Sequence, residues 1–236
     1  MTESLHIWIT GAGTGIGASI AHALAGAHRV SLLGRNKESL DAVASVLPAK
    51  SWCVTVADVS DATAVSSAYV EAVKQQGPVD VLINNAGVGF FKPLVDMTFE
   101  EFDEQIDVNL RGAFLCAKSV LPSMLERRSG MIINVNSVAS ITAFEGGSAY
   151  GASKSGLLTM MRTLRNEVRT SGVKITDILL GATQTRMWSE ESLNTHHKRM
   201  MQADDVADCI RTLVDGFYNP RTHIEEIILR PQHGDL

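Results

Sequence analysis

The chain has only three cysteines, Cys53, Cys116 and Cys209, far apart and odd in number. That excludes a disulfide-stapled fold, and with no Cys-x-x-Cys or Cys/His ligand spacing it argues against a structural zinc site. His196-His197 lies in a polar stretch without a carboxylate set, so no metal is expected. The longest apolar runs are four or five residues, far too short to cross a bilayer. No basic segment followed by an apolar run opens the chain, so no signal peptide is expected, and the reading is a cytoplasmic protein with reduced thiols. Positive charge is not in excess: 21 Lys and Arg against 26 Asp and Glu give −5, which counts against nucleic acid as a partner. No linker, repeat or low-complexity tract divides the sequence, so residues 1–236 are expected to form a single domain. What is present is 45% hydrophobic and 20% charged residues, enough for a large core and inconsistent with disorder.

Short β-branched runs alternate with longer segments of helical period. Strands are expected at Leu5–Thr10, Arg29–Gly34, Ser51–Asp58, Val79–Asn84, Met131–Val135, Val173–Leu180 and Ile224–Leu229. Between them lie helices at Gly15–Gly26, Lys37–Leu47, Asp61–Gln76, Phe99–Arg128, Ala149–Thr170 and Ala203–Phe217. Thr98 with Glu101 reads as a capping box, and Ser60 or Asp61 as a cap. Residues 185–201 read as irregular and mobile, a lid over a substrate site. The alternation predicts an α/β fold: a doubly wound, seven-stranded parallel sheet with helices on both faces.

The first strand runs into Thr10-Gly11-Ala12-Gly13-Thr14-Gly15-Ile16-Gly17. Glycines permit a tight bend and close approach of a ligand, and the following helix offers free N–H groups to a pyrophosphate. The second strand ends Leu32-Leu33-Gly34-Arg35-Asn36, with no carboxylate for ribose hydroxyls. Arg35 stands there instead, and a guanidinium matches a phosphate, so NADP(H) is expected over NAD(H). Tyr150 and Lys154, four apart on one helix, share a face. A neighbouring ammonium favours the phenolate, so Tyr150 is expected to have a lowered pKa and to act as general acid or base. Ser137, just past the fifth strand, the Asn84-Asn85-Ala86-Gly87 run and Gly181 all follow strands, where ligands gather in parallel sheets.

These motifs, in this order and with Asp58-Val59 and Asn109 between them, resemble the short-chain dehydrogenase/reductase family in its single-domain, Rossmann-fold form. The resemblance covers nearly the whole chain. It implies that Tyr150 donates a proton to a substrate carbonyl oxygen, that Ser137 hydrogen-bonds that oxygen, and that Lys154 holds the nicotinamide ribose. It implies that Asn109 positions a relay water, and that Asp58 with the Val59 backbone meets the adenine. Asn85, Ala86 and Gly87 would pack along the cofactor, and Thr183 and Thr185 would orient the carboxamide, with Gly181 beside them. The family-level expectation is a homodimer or homotetramer.

Two departures stand out. Leu180-Gly181 replaces the family's Pro-Gly, and Leu229-Arg230-Pro231-Gln232-His233-Gly234 replaces the Val-Asn/Asp-Gly-Gly ending of bacterial ketoacyl reductases. A small carbonyl compound or alcohol is the expected substrate, with 3-ketoacyl thioester or pterin (sepiapterin-like) reduction as alternatives. The pocket loops carry Phe90, Phe91, Phe144, Met187, Trp188 and Met200, of which Phe144 and Trp188 are the expected substrate contacts beside Ser137 and Tyr150. A non-catalytic NADP(H) sensor is a further alternative, disfavoured because Asn109, Ser137, Tyr150 and Lys154 are all present. A nucleotide-sugar epimerase or dehydratase is disfavoured too, since only 82 residues follow Lys154 (236 − 154) and leave little room for a substrate domain.

Overall fold

The computed structural model describes residues 4–49 and 51–234. Seven strands form one sheet: β1 (His6–Thr10), β2 (Arg29–Gly34), β3 (Trp52–Val56), β4 (Val81–Asn84), β5 (Gly130–Ser137), β6 (Val173–Leu180) and β7 (Glu226–Leu229). All are parallel, in the order β3-β2-β1-β4-β5-β6-β7. Among the described residues, eight α-helices connect or flank them: α1 (Gly15–Leu24), α2 (Lys37–Ala44), α3 (Ala62–Gln76), α4 (Phe99–Ile106), α5 (Ala113–Arg127), α6 (Ser148–Val168), α7 (Glu190–His196) and α8 (Ala203–Asp215). The doubly wound architecture is the one expected.

Period-two alternation along the strands divides the core. Ile7, Ile9, Leu32 and Ile133 meet α1, α2 and α8 on one face. Trp8, Leu33, Leu82 and Ile132 meet α3, α5 and α6 on the other. Both faces are covered, which is why the central strands read as nearly continuous apolar runs. Strand order reverses between β1 and β4, and the crevice at the carboxyl ends of these strands is where such sheets bind ligands.

Local chemistry explains the helix starts. Asp61 accepts from the Thr63 and Ala64 backbone N–H groups, so it, not Ser60, caps α3. Thr98 and Glu101 form the expected capping box on α4. Element ends differ from expectation by a few residues, and β5 extends to Ser137, so Ser137 closes the strand instead of lying beyond it.

Two elements depart from the sequence reading. The helix expected over Phe99–Arg128 is interrupted at Asp107–Gly112 by a wide π-type turn that joins α4 to α5. A Cβ on Gly112 would come within 2.8 Å of Val59 Cγ2, so the helix passes β3's loop at contact distance there. The stretch 185–201 is not irregular throughout: it contains α7, capped by Ser189 on the Ser192 N–H. Its base is closed by Met201 N–H to the Ala182 carbonyl at 3.0 Å and Gln184 N–H to the Met201 carbonyl at 2.8 Å. Among the described residues, no helix is long and apolar enough to cross a membrane.

Candidate active site

The glycine turn after β1 is held from beneath. Thr10 Oγ1 accepts from the Asn85 and Ala86 N–H groups, each at 3.0 Å, and Asn85 Nδ2 donates to the Thr10 and Gly11 carbonyls at 3.0 and 3.2 Å. The β1 and β4 loops are thereby locked together across the switch point. Gly11 adopts φ +64, a left-handed conformation that favours glycine. A Cβ on Gly17 would fall 2.2 Å from the Gly11 carbonyl oxygen and 2.6 Å from Asn85 Nδ2. Gly17 therefore underlies the turn and does not face the cleft, while Gly11, Gly13, Thr14, Gly15 and Ile16 line it.

That cleft has a volume of about 1400 Å³. Along the strand order, Arg35, Asp58 and Val59 follow β2 and β3 at one end of the cleft; Asn85, Ala86 and Gly87 follow β4 in the middle, and Gly181, Thr183 and Thr185 follow β6 on the far side. Ser137, Tyr150 and Lys154 converge on its inner wall. Arg35 Nη1 sits 3.7 Å from Asp58 Oδ2 and 3.8 Å from Glu104 Oε1, with its side chain largely in solvent. Burial raises the Asp58 carboxyl, but hydrogen bonds from the Ser60 N–H and hydroxyl, with Arg35 nearby, outweigh it and leave its pKa below the usual value.

Lys154 is 4% exposed, and its ammonium donates to the Val135 carbonyl at 3.1 Å. Burial pushes its pKa down to about 8. Nζ stands 5.8 Å from the Tyr150 ring centre. The phenol behaves against expectation: burial pushes its pKa up, and the hydrogen bond with Ser137 only partly offsets that. Desolvation penalises the phenolate, and the ammonium is directed to a backbone carbonyl, not to the phenol oxygen. A phenol kept protonated is suited to donate a proton.

Asn109 lies in the π-type turn and is 1% exposed. Its Oδ1 accepts from the Val88 N–H at 2.8 Å, and its Nδ2 donates to the Val88 carbonyl at 2.9 Å and to Ser153 Oγ at 3.0 Å. Two of these bonds tie the π-type turn to the β4 loop, and the third ties it to α6. Asn109 thus stands behind the cleft, as a brace for its wall.

Aromatic rings roof the site. Phe91 packs edge-on against Tyr150 at 5.1 Å, stacks near Trp188 at 6.1 Å and tilts against Phe144 at 5.9 Å. Trp188 Nε1 donates to the Thr183 carbonyl at 3.0 Å, which fixes the ring on the base of the 185–201 excursion. Sequence reasoning named Phe91 only as one of several loop aromatics, yet it is the ring in contact with Tyr150. Met200 turns inward, buried at 7% exposure, and does not line the cleft.

The model of the short chain dehydrogenase family matches residues 5–196. The chain belongs to that family. Sepiapterin reductase of Chlorobaculum tepidum is 36% identical to this short-chain dehydrogenase over 239 residues, covering 97% of this chain and 96% of that protein. An alcohol dehydrogenase of Thermococcus sibiricus, complexed with 5-hydroxy-NADP, superposes with a TM-score of 0.89 at 28% identity, covering 99% of both chains. A metagenomic short-chain oxidoreductase in complex with NADP gives a TM-score of 0.81 at 31% identity, covering 97% of both. The protein is therefore an oxidoreductase of the short-chain type. A nicotinamide dinucleotide, the family's cofactor, fits the cleft: the glycine turn leaves backbone N–H groups of α1 open to a pyrophosphate, and polar side chains stand at both ends.

Proposed function

We propose that this short-chain dehydrogenase is an NADP(H)-dependent carbonyl reductase for ketones or aldehydes carrying a planar apolar group. The observation that carries the reading is the convergence of Ser137, Tyr150 and Lys154 with the glycine turn on one cleft. The bound nicotinamide would supply the hydride. Tyr150 would give its phenolic proton to the carbonyl oxygen, and Ser137 would be the second donor there, where negative charge develops. Lys154, as an ammonium, would hold the cofactor's ribose and stabilise the phenolate left behind. Asn109 would keep the wall between Val88 and Ser153 in register with these groups, a positioning role beside the relay water that the resemblance implies.

At the other end, Arg35 would pair with the 2′-phosphate of NADP(H), a charge-assisted fork contact. Asp58 and Val59 would meet the adenine, and Asn85, Ala86 and Gly87 would pack along the dinucleotide. Gly181, Thr183 and Thr185 would border the nicotinamide, with the hydroxyls toward its carboxamide. The 5-hydroxy-NADP complex of the Thermococcus sibiricus alcohol dehydrogenase and the NADP complex of the metagenomic oxidoreductase support this preference. The excursion 185–201, with Trp188 anchored at its base, would act as the substrate lid. Exposed Phe99, Phe114 and Leu125 on α4 and α5 support the expected homo-oligomer.

Phe91, Phe144 and Trp188 favour a flat ring near the reacting carbonyl, since aromatic faces and edges recognise one another. A pterin ketone is the second reading, favoured by the likeness to the Chlorobaculum tepidum sepiapterin reductase. Aryl ketones, diketones, ketoacyl thioesters and a pterin ketone, each assayed by NADPH absorbance, would test both. Turnover of a ring-bearing carbonyl with NADPH is expected. Tight NADPH binding without turnover of any carbonyl would point to the sensor alternative instead.

A further inference from the structure

A buried polar chain crosses the sheet on the face covered by α5 and α6. Asn84, the last residue of β4, donates from Nδ2 to Asn134 Oδ1 on β5 at 2.9 Å. Asn134 donates from Nδ2 to Asp177 Oδ1 on β6 at 3.1 Å. Asp177 Oδ2 takes Arg165 Nη2 of α6 at 2.7 Å, and Arg165 also reaches Glu226 Oε1 on β7 at 3.3 Å. Asn84, Asn134 and Asp177 are 5%, 0% and 0% exposed.

The chain has a direction. Burial raises the Asp177 carboxyl to about 7, so above that pH, the range in which Lys154 titrates, it is ionised and only accepts; Asn134 must then present its NH₂ to Asp177 and its carbonyl to Asn84. Asn84 must then present its own NH₂ to Asn134. The consequence is that Asn84 Oδ1 is fixed at the far end, buried and without a hydrogen-bond partner. Buried polar atoms are almost always paired, so an unpaired one held in place needs a physical reason. Asn84 borders a small buried space that is also bounded by Lys154, Thr10 and Asn109.

We propose that Asp177 is a positioning residue for Lys154: through Asn134 it sets the direction of the Asn84 carboxamide, so that a carbonyl oxygen, not an amide NH₂, faces the buried space beside the ammonium. The negative end of two aligned amide dipoles then favours the charged lysine, which burial alone disfavours. The charged groups around Asp177 are Arg165 and Arg162 from α6 and Glu226 from β7. The titratable group beside Lys154 is Tyr150. Lys154's part in the reaction rests on the function proposed above; its electrostatic dependence on Asp177 does not.

The substitution Asp177→Asn gives a sharp outcome. Arg165 still needs an acceptor, so the new amide turns its oxygen toward Arg165 and its NH₂ toward Asn134. Both asparagines then reverse, and an NH₂ faces Lys154. Asn134→Leu instead removes the link and leaves the Asp177–Arg165 pair in place. Glu226→Gln weakens the same ion-pair cluster without touching the amides.

The measurement is an NMR titration of lysine ¹³Cε and ¹⁵Nζ signals, with Lys154 identified by its loss in Lys154→Arg; it needs no substrate. Lys154 is expected to titrate about half a pH unit or more below wild type in Asp177→Asn and in Asn134→Leu. It should stay at the wild-type midpoint in Glu226→Gln. An unmoved Lys154 in either chain variant that folds, or an equal displacement in Glu226→Gln, would overturn the proposal. If Asp177→Asn does not fold, Asn134→Leu decides alone. Absence of turnover in the wild type would count against the proposed function and leave this comparison intact.

Discussion

Replacing His6 by glutamine should change how stability depends on pH, by an amount set by the ring's burial. His6 begins β1 and is 0% exposed. Its Nδ1 lies 2.7 Å from the Gly77 carbonyl, which can only accept, so Nδ1 carries the hydrogen. Nε2 then accepts from the Ser31 hydroxyl at 2.6 Å, and the Cys53 thiol lies 2.9 Å from that hydroxyl. Burial pushes the His6 pKa down from 6.5 to about 4, against the raising effect of the Gly77 hydrogen bond. A histidine with a depressed folded pKa is protonated more readily when unfolded. Its stabilising contribution is therefore whole above pH 6.5 and is lost as pH falls toward 4. At 1.36 kcal/mol per pKa unit, the loss between about pH 7.5 and about pH 4 is about 3 kcal/mol. The wild-type curve alone does not isolate this contribution. Burial raises Asp177 to about 7, with Arg165 opposing, and that carboxyl gives a trend of opposite sign over much of the same range. The quantity to measure is the difference in urea-unfolding free energy between wild type and His6→Gln at several pH values. The gap should favour wild type at neutral pH and narrow by about 3 kcal/mol on acidification. A gap independent of pH would refute the buried neutral imidazole.

Arg35→Ala should weaken NADPH binding about tenfold or more, the worth of a charged hydrogen bond, and leave NADH nearly unchanged; equal losses with both cofactors, by fluorescence titration, would contradict a phosphate role. Gly17→Ala forces a Cβ to within 2.2 Å of the Gly11 carbonyl oxygen, so the turn must open; a fall in Tm together with loss of NADPH binding is expected, and normal binding would contradict the packing. Carbonyl reduction should decline as pH rises through about 8, because Lys154 loses its proton there while Tyr150 remains protonated; a flat profile of kcat/KM would count against the charged lysine.

The fold was legible because its signals are local. Alternating strand and helix periods, the Thr98–Glu101 box and the glycine turn each lie within a few consecutive residues. The positions of Tyr150 and Lys154 were legible for the same reason, since residues four apart share a helix face. The direction of the Tyr150 shift was not, because it depends on desolvation by side chains far away in sequence. The break at Asp107–Gly112 also escaped the pattern, since it answers to the approach of Val59 and to Asn109 gripping Val88. Helix α7 was hidden by the polar composition of its stretch, although Ser189 followed by Glu190 and Glu191 is a helix-start signal. The Arg165–Asp177 pair joins a helix to the following strand across the turn between them, a contact no periodicity announces.

The central claim is that Tyr150 protonates a carbonyl oxygen beside a bound nicotinamide. Deuteride transfer tests it most directly, with NADPH labelled at C4, the best carbonyl substrate found, and mass analysis of the alcohol formed in a single turnover. Wild type should yield alcohol carrying the deuterium, and Tyr150→Phe should yield almost none while still binding NADPH. Deuterated alcohol from Tyr150→Phe at a rate near that of wild type would contradict the account.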